Sequence, residues 1–382
     1  MSFLNNISFN FSAAIIAFSL SGCGSSGGST EPPPPPPVSY QDLIDDLVSD
    51  DIPGVVLLVE TPEKRFLGSA GLADIDTVES MQSYHQMPTA SAGKPMIALL
   101  ATILHTEGFL DLDDTLVTWL PAEMVAQIPN GGQITLRQML NHTSGIFNHL
   151  EEDDFFEAVV NDPSMMWTDI DIIPFGLNKP AYFSPGEGYE YSNTGYVLAG
   201  IILDGVLAIH HSTELRNRIF TPLGMTNTYY KGVEKDLGDF ISGYSDLGNG
   251  VLDNVKIYQE NVARANAPVV STVEDLALFL KSLIADETFV SQQVRDSMFG
   301  ESNLIYVNDE NGEYEYGLGI HKQSMGNKTL YFHNGGEPGY FTSNYYISET
   351  QTSITAFINC SVLPSCEVAL DNLTQTVLQN EI

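Results

Sequence analysis

The sequence predicts an α+β fold, and three observations carry that prediction. Strand-like apolar segments lie near both ends of the 382-residue chain. A mainly helical stretch, rich in loops, separates them. The later strands follow one another with only turn residues between, the habit of an antiparallel sheet. The α/β part covers about 39–110 and 265–382, and the mainly helical part about 111–264.

The first 38 residues stand outside that fold. An apolar run from Phe9 to Leu20 is too short to span a bilayer as a helix. It ends in Leu20-Ser21-Gly22-Cys23, so residues 1–22 read as a lipoprotein-type signal peptide with Cys23 as the lipidated residue. Its first residues carry no Lys or Arg. Residues 23–38 read as a tether, flexible over Gly24–Ser29 and extended over the proline run Pro32–Pro37. The expected location is therefore exported, periplasmic or at the cell surface, and lipid-anchored to a bacterial membrane.

The globular domain, 39–382, opens with a capped amphipathic helix after Ser39, with Leu43, Ile44 and Leu47 inward. Val55–Glu60 and Phe66–Ala70 read as a hairpin turning near Pro62-Glu63-Lys64. An apolar helix follows from Ala90. Within the helical part, Leu136–Asn141, Asp154–Val160 and Tyr196–Leu207 are the clearest helices. Residues 271–284 form a helix capped by Ser271 or Thr272. Tyr314–His321, Thr329–His333, Tyr340–Ile347 and Ser353–Asn359 read as strands, and Val368–Leu378 as a closing helix.

A formal net charge of -34 argues against nucleic acid or anionic lipid as a direct partner and fits a solvated acidic surface. Cys360 and Cys366 could form a short-loop disulfide in an oxidising compartment, or remain two small apolar residues. No metal signature or cofactor motif is present. His210 and His211 are adjacent, so from a helix they would not face one ligand.

Three short motifs carry chemistry. Ser91-Ala92-Gly93-Lys94 is the only S-x-x-K in the chain. Its spacing places a hydroxyl and an amine one turn apart, which suits a nucleophile and its activator. Tyr191-Ser192-Asn193 lies between Pro185-Gly186 and an apolar helix. His333-Asn334-Gly335 ends a strand and is the only H-x-G. Its glycine lets a substrate approach the backbone, where the next N–H can face a developing oxyanion.

In this order the three motifs resemble those of the serine β-lactamase/DD-peptidase superfamily, in its class C-like branch. Ile134–Gly145, Arg218–Met225, Ser271–Leu276 and Tyr316–Gly319 are similar to further motifs of that family, and the likeness covers essentially all of 39–382. The resemblance implies a β-lactamase/transpeptidase-like fold and an acyl-serine mechanism without a cofactor. Ser91 would be the nucleophile, and Lys94 and Tyr191 would share the base role. Asn193 would orient Lys94, and the N–H groups of Ser91 and Gly336 would form the oxyanion hole. His333, Asn334, Gly335 and His321 would meet the substrate. His142 reads as structural.

The wider match resembles D-alanyl-D-alanine carboxypeptidases most closely, with slow acylation by penicillins. Two positions depart from that pattern. Asn334 replaces a threonine and His321 an arginine, both of which hold a substrate carboxylate in those peptidases. A carboxylesterase or weak class C-like β-lactamase is the alternative within the enzyme class. A penicillin-recognising module without turnover is the alternative outside it. A monomer acting on a small molecule or peptide is expected.

Overall fold

Seven residues, Gly54–Glu60, form strand β1 in the computed structural model, which describes residues 39–309, 312–362 and 364–381. The expected signal peptide, Cys23 and the tether lie outside the described residues. The sheet continues with β2 (Arg65–Asp74), β3 (Glu79–Ser80), β4 (Ile305–Asp309), β5 (Gly312–Tyr316) and β6 (His321–Met325). Then come β7 (Lys328–Phe332), β8 (Gly335–Glu337), β9 (Tyr340–Ile347) and β10 (Thr352–Ile358). These strands make one ten-stranded sheet in the order β3-β2-β1-β10-β9-β7-β6-β5-β4, with β8 pairing β9, and every pairing is antiparallel.

The N-terminal hairpin thus joins the last strand of the chain, with Val56 opposite Phe357 and Leu58 opposite Thr355. Side chains alternate across a strand, so a strand covered on both faces is apolar throughout. That explains the unbroken run of β1. Val55, Leu57 and Val59 face helix α1 (Tyr40–Leu47) and the C-terminal helix Ser365–Glu381, in a core with Ile44, Leu370 and Val377. Val56 and Leu58 join the larger core on the other face.

That larger core holds α2 (Lys94–Thr106), α3 (Leu136–Leu140), α4 (Asp154–Asn161), α5 (Asn193–Leu207) and α6 (Val273–Ala285). Local chemistry sets their starts. Ser39 accepts from the Asp42 N–H, Thr135 and Gln138 complete a capping box, and Thr272 accepts from the Asp275 N–H. A disulfide joins Cys360, just after β10, to Cys366 in the C-terminal helix, α7.

Two expectations change. The single strand expected over Tyr314–His321 is β5 and β6, broken at Gly317–Ile320. Gly319 adopts a left-handed φ of 70° and packs against α2, where a Cβ would lie 3.1 Å from the Lys94 carbonyl and 2.9 Å from Tyr196 Oη. Only glycine meets both demands. The edge strand β4 was not expected, because Ile305–Asp309 alternates weakly and has a mostly exposed face.

Candidate active site

Ser91 lies in a 3-10 turn, Ala90–Gly93, that runs directly into α2. Pro95 occupies the first turn of α2, where no intrahelical partner is lost. Ala90 is held at a φ of 49°, uncommon for a residue with a Cβ, immediately before the serine. Ser91 is 9% exposed and Lys94 is fully buried.

The Lys94 Nζ meets three oxygens. It lies 2.9 Å from Ser91 Oγ, 2.8 Å from Asn193 Oδ1 and 2.7 Å from the Asn266 carbonyl. The last two can only accept, whereas a serine hydroxyl can also donate. Burial, reinforced by the Arg264 guanidinium and opposed by Glu337, holds the Lys94 pKa well below the usual lysine range. A neutral amine fits the site. Its two hydrogens serve the carbonyls and its lone pair faces the Ser91 hydroxyl.

Asn193 begins α5, and Asn148 Oδ1 fixes it through the Asn193 backbone N–H and Nδ2. Tyr191 lies two residues earlier, with its ring 5.0 Å from Lys94 Nζ. Burial pushes the Tyr191 pKa up, and interaction with Ser91 only partly offsets this. Burial thus favours the neutral phenol at Tyr191 and the neutral amine at Lys94.

His142 underpins this arrangement. The Ser192 N–H donates to His142 Nδ1 at 3.1 Å, and the His142 ring lies 4.1 Å from that of Tyr191. With Nδ1 occupied as an acceptor, the neutral ring carries its proton on Nε2, which donates to Tyr316 Oη at 3.2 Å. Tyr316 O–H then donates to His333 Nε2 at 3.1 Å, and His333 Nδ1 donates to the Asn334 carbonyl at 2.7 Å. Burial lowers the pKa of both histidines well below the usual value, so both rings are neutral.

The last bond of that chain fixes the peptide before Gly335. A Cβ on Gly335 would lie 2.1 Å from the Thr89 carbonyl and 3.0 Å from the Ser91 nitrogen. Glycine is what allows β8, with Gly336, to run against the nucleophile turn.

The Asn334 side chain is engaged by β9 rather than left free for substrate. Asn334 Nδ2 donates to Tyr345 Oη at 2.7 Å, and Asn334 Oδ1 accepts from the Asn344 N–H at 3.3 Å. Neighbours on an extended chain point to opposite sides, so with His333 inward its neighbour faces β9. His321 stacks on Phe332 with ring centroids 4.7 Å apart, and burial lowers its pKa to about 3. It supplies no cation for a carboxylate.

Glu337, which the sequence left without a role, is 1% exposed and pairs with Lys231 Nζ at 2.6 Å and Arg264 Nη2 at 2.7 Å. The motif spacing gives no sign of this cluster, whose members lie 73 and 106 residues apart in sequence. His210 and His211 also differ from expectation. They lie in the loop after α5 with stacked rings, and with Asp204 their ligand atoms fall within 4.8 Å of one another. Both His211 nitrogens are engaged, by Asp204 and by Tyr230, and His210 Nδ1 by Ser212.

The chain is similar to several known proteins. Penicillin-binding protein 4* of Bacillus subtilis (strain 168) is 29% identical over 322 residues, 79% of this chain and 67% of that protein. Protein flp of Staphylococcus aureus (strain N315) is 29% identical over 205 residues, 53% of this chain and 40% of that protein. The crystal structure of D-amino acid amidase from Ochrobactrum anthropi SV3 complexed with D-phenylalanine superposes with a TM-score of 0.72 at 28% identity, covering 89% of this chain and 97% of that one. A D-stereospecific amidohydrolase from Streptomyces sp. gives 0.73 at 25% identity, covering 84% and 93%. The Beta-lactamase family model matches residues 40–376, so the chain belongs to the Beta-lactamase family and is a serine hydrolase.

Proposed function

We propose that the protein hydrolyses amides, short peptides or esters of D-amino acids through an acyl-Ser91 intermediate, preferring substrates without a free carboxylate next to the scissile bond. The observation that carries the acyl-serine step is the buried Lys94 set between Ser91, Asn193 and the Asn266 carbonyl. Ser91 Oγ attacks the carbonyl carbon as its proton passes to Lys94. The backbone N–H groups of Ser91 and Gly336 receive the oxyanion. The Tyr191 phenol donates a proton to the departing nitrogen and is reprotonated from Lys94. Water then attacks the ester with Lys94 again as base, releasing the acid and free Ser91.

The preference for an uncharged group rests on His321, neutral where a strict carboxypeptidase would hold a carboxylate, and on Asn334, whose side chain is held by Tyr345. The similarity to a D-amino acid amidase and a D-stereospecific amidohydrolase supports it. D-alanyl-D-alanine carboxypeptidase activity is the second reading, supported by the relative named as a penicillin-binding protein. Steady-state rates on D-phenylalanine amide, a D-Ala-D-Ala peptide, a p-nitrophenyl ester and a chromogenic cephalosporin separate these readings. The proposal expects kcat/KM for the D-amide to exceed that for the free-carboxylate peptide by tenfold or more. The reverse order would replace it with the carboxypeptidase. Export and anchoring through Cys23 form part of the same proposal, and Cys23→Ala is expected to release the protein from membranes.

A further inference from the structure

Glu337 closes β8 one residue after Gly336, and its buried carboxylate meets two buried cations. Lys231 Nζ lies 2.6 Å from both carboxylate oxygens, and Arg264 Nη2 donates to Oε2 at 2.7 Å. Both cations grip one short stretch of chain. Arg264 begins the segment 264–268. Lys231 holds its other end, since the Lys231 backbone N–H donates to the Pro268 carbonyl at 2.8 Å. Asn266 is the middle residue. Its carbonyl accepts from Lys94 Nζ at 2.7 Å, and its Nδ2 donates to Asn193 Oδ1 at 3.2 Å. Gln259 adds a further tie. Its Oε1 accepts from Lys231 Nζ at 3.2 Å, and its Nε2 donates at 3.4 Å to the carbonyl of Pro338, the residue after Glu337.

Stability alone is a weak reason for such a cluster. Charges are expensive to take out of water, two cations here face one carboxylate, and packed apolar side chains of like volume often serve as well. What the ion pairs add is geometry, because charge-assisted hydrogen bonds fix distance and direction between the segments they join. The segments joined are the two whose backbone groups serve Ser91. β8 presents the Gly336 N–H to the oxyanion, and 264–268 presents the Asn266 carbonyl to Lys94. A displacement of about 1 Å in such groups can cost about 10²-fold in rate.

We propose that Glu337 is a positioning residue: its carboxylate clamps β8 to both ends of 264–268, so that the Gly336 N–H and Lys94 are set against Ser91 in one register. The proposal rests on the acyl-Ser91 reaction set out above. Glu337 acts through Gly336 on one side and Asn266 on the other, not on the substrate itself.

The test measures kcat and KM on p-nitrophenyl butyrate for the full chain, in wild type, Glu337→Asp and Lys231→Met. Active enzyme is counted by fluorophosphonate titration, which removes unfolded protein from the rates. Acylation and deacylation both use the Gly336 donor and Lys94, so kcat reports the clamp whichever is slower. Glu337→Asp keeps the charge and shortens the side chain by one methylene. Lys231→Met leaves a balanced Arg264–Glu337 pair in the fold, and it keeps Arg264 and Glu337, the charges that act on Lys94. Each variant is expected to lose about tenfold or more in kcat, with KM within about threefold of wild type. A smaller loss in either variant, or a change confined to KM, would overturn the inference while leaving the acyl-serine reaction standing. A wild type that neither reacts with the fluorophosphonate nor cleaves the ester would overturn that reaction, and this inference with it.

Discussion

Lys94 Nζ lies 2.9 Å from Ser91 Oγ, and its other two partners are acceptors only. Geometry alone admits an ammonium or an amine there. Burial and the Arg264 charge favour the amine. The first prediction separates base from cation. Lys94→Met should lower kcat by about 10²- to 10⁴-fold, the usual weight of a general base. Lys94→Arg keeps a positive charge but cannot give up its proton, so it should be no better. Activity of Lys94→Arg within tenfold of wild type would make Lys94 a cation rather than a base.

The second prediction is the pH profile. An amine base with a lowered pKa is active once deprotonated. kcat/KM should therefore rise through one ionisation well below 10.5, the ordinary lysine value, and remain high on the alkaline side. A tyrosinate base sustained by cationic Lys94 would lose activity as the lysine lost its charge. Tyr191→Phe should slow amide turnover more than ester turnover, because an amine leaving group needs the phenolic proton and a nitrophenolate does not. Equal loss on both substrates would remove that role.

Gly335→Ala tests the close approach of β8. Its Cβ would meet the Thr89 carbonyl at 2.1 Å, and backbone cannot rotate away as a side chain can. The strand must shift off Ser91, with an expected loss of about 10²- to 10³-fold in kcat, comparable to removing one oxyanion donor. A variant with kcat unchanged would show that the strand tolerates displacement.

Tyr316 joins two buried neutral histidines, so Tyr316→Phe should cost about 1–3 kcal/mol through the unpaired nitrogens. The histidines also set an acid limit. Their folded pKa values lie below the unfolded value, so the unfolded state binds more protons as pH falls. Stability is complete above about 6.5, the unfolded histidine value, and declines below it. Melting temperatures measured from pH 8 to pH 5 should show that decline, and a flat profile would contradict the neutral assignment.

Glu337 is the buried partner of both Lys231 and Arg264. Burial alone would raise its pKa, but the two cations hold it below the usual carboxylate range. Its contribution is therefore present above the unfolded glutamate value and lost as pH falls through the lower folded value. Glu337→Gln leaves two buried cations uncompensated and should destabilise the fold by about 3–5 kcal/mol in urea unfolding. A loss below about 1 kcal/mol would mean the cations find other partners.

Much of this was legible in the sequence for physical reasons. The apolar run of β1 and the capped α6 are local patterns, and both lie where periodicity and capping place them. Ser91, Lys94, Tyr191 and Asn193 could be named because each motif is local, and the fold then brings Lys94 to Asn193 across 99 residues. The break at Gly317–Ile320 was not legible, since what demands it is the Lys94 carbonyl on another element. Nor was the direction of the Asn334 side chain, which Tyr345 on the neighbouring strand decides. The cluster of Glu337, Lys231 and Arg264 has no sequence signal, because its spacing is set wholly by tertiary packing.

Every step of the proposed reaction passes through a covalent bond to Ser91. Its most direct test is intact-mass and peptide mapping after brief exposure to a penicillin and to a fluorophosphonate at neutral pH, in wild type and in Ser91→Ala. A single adduct is expected on the peptide containing Ser91 in wild type and none in Ser91→Ala. An adduct of the same rate and stoichiometry in Ser91→Ala, or one mapped to another residue, would contradict it.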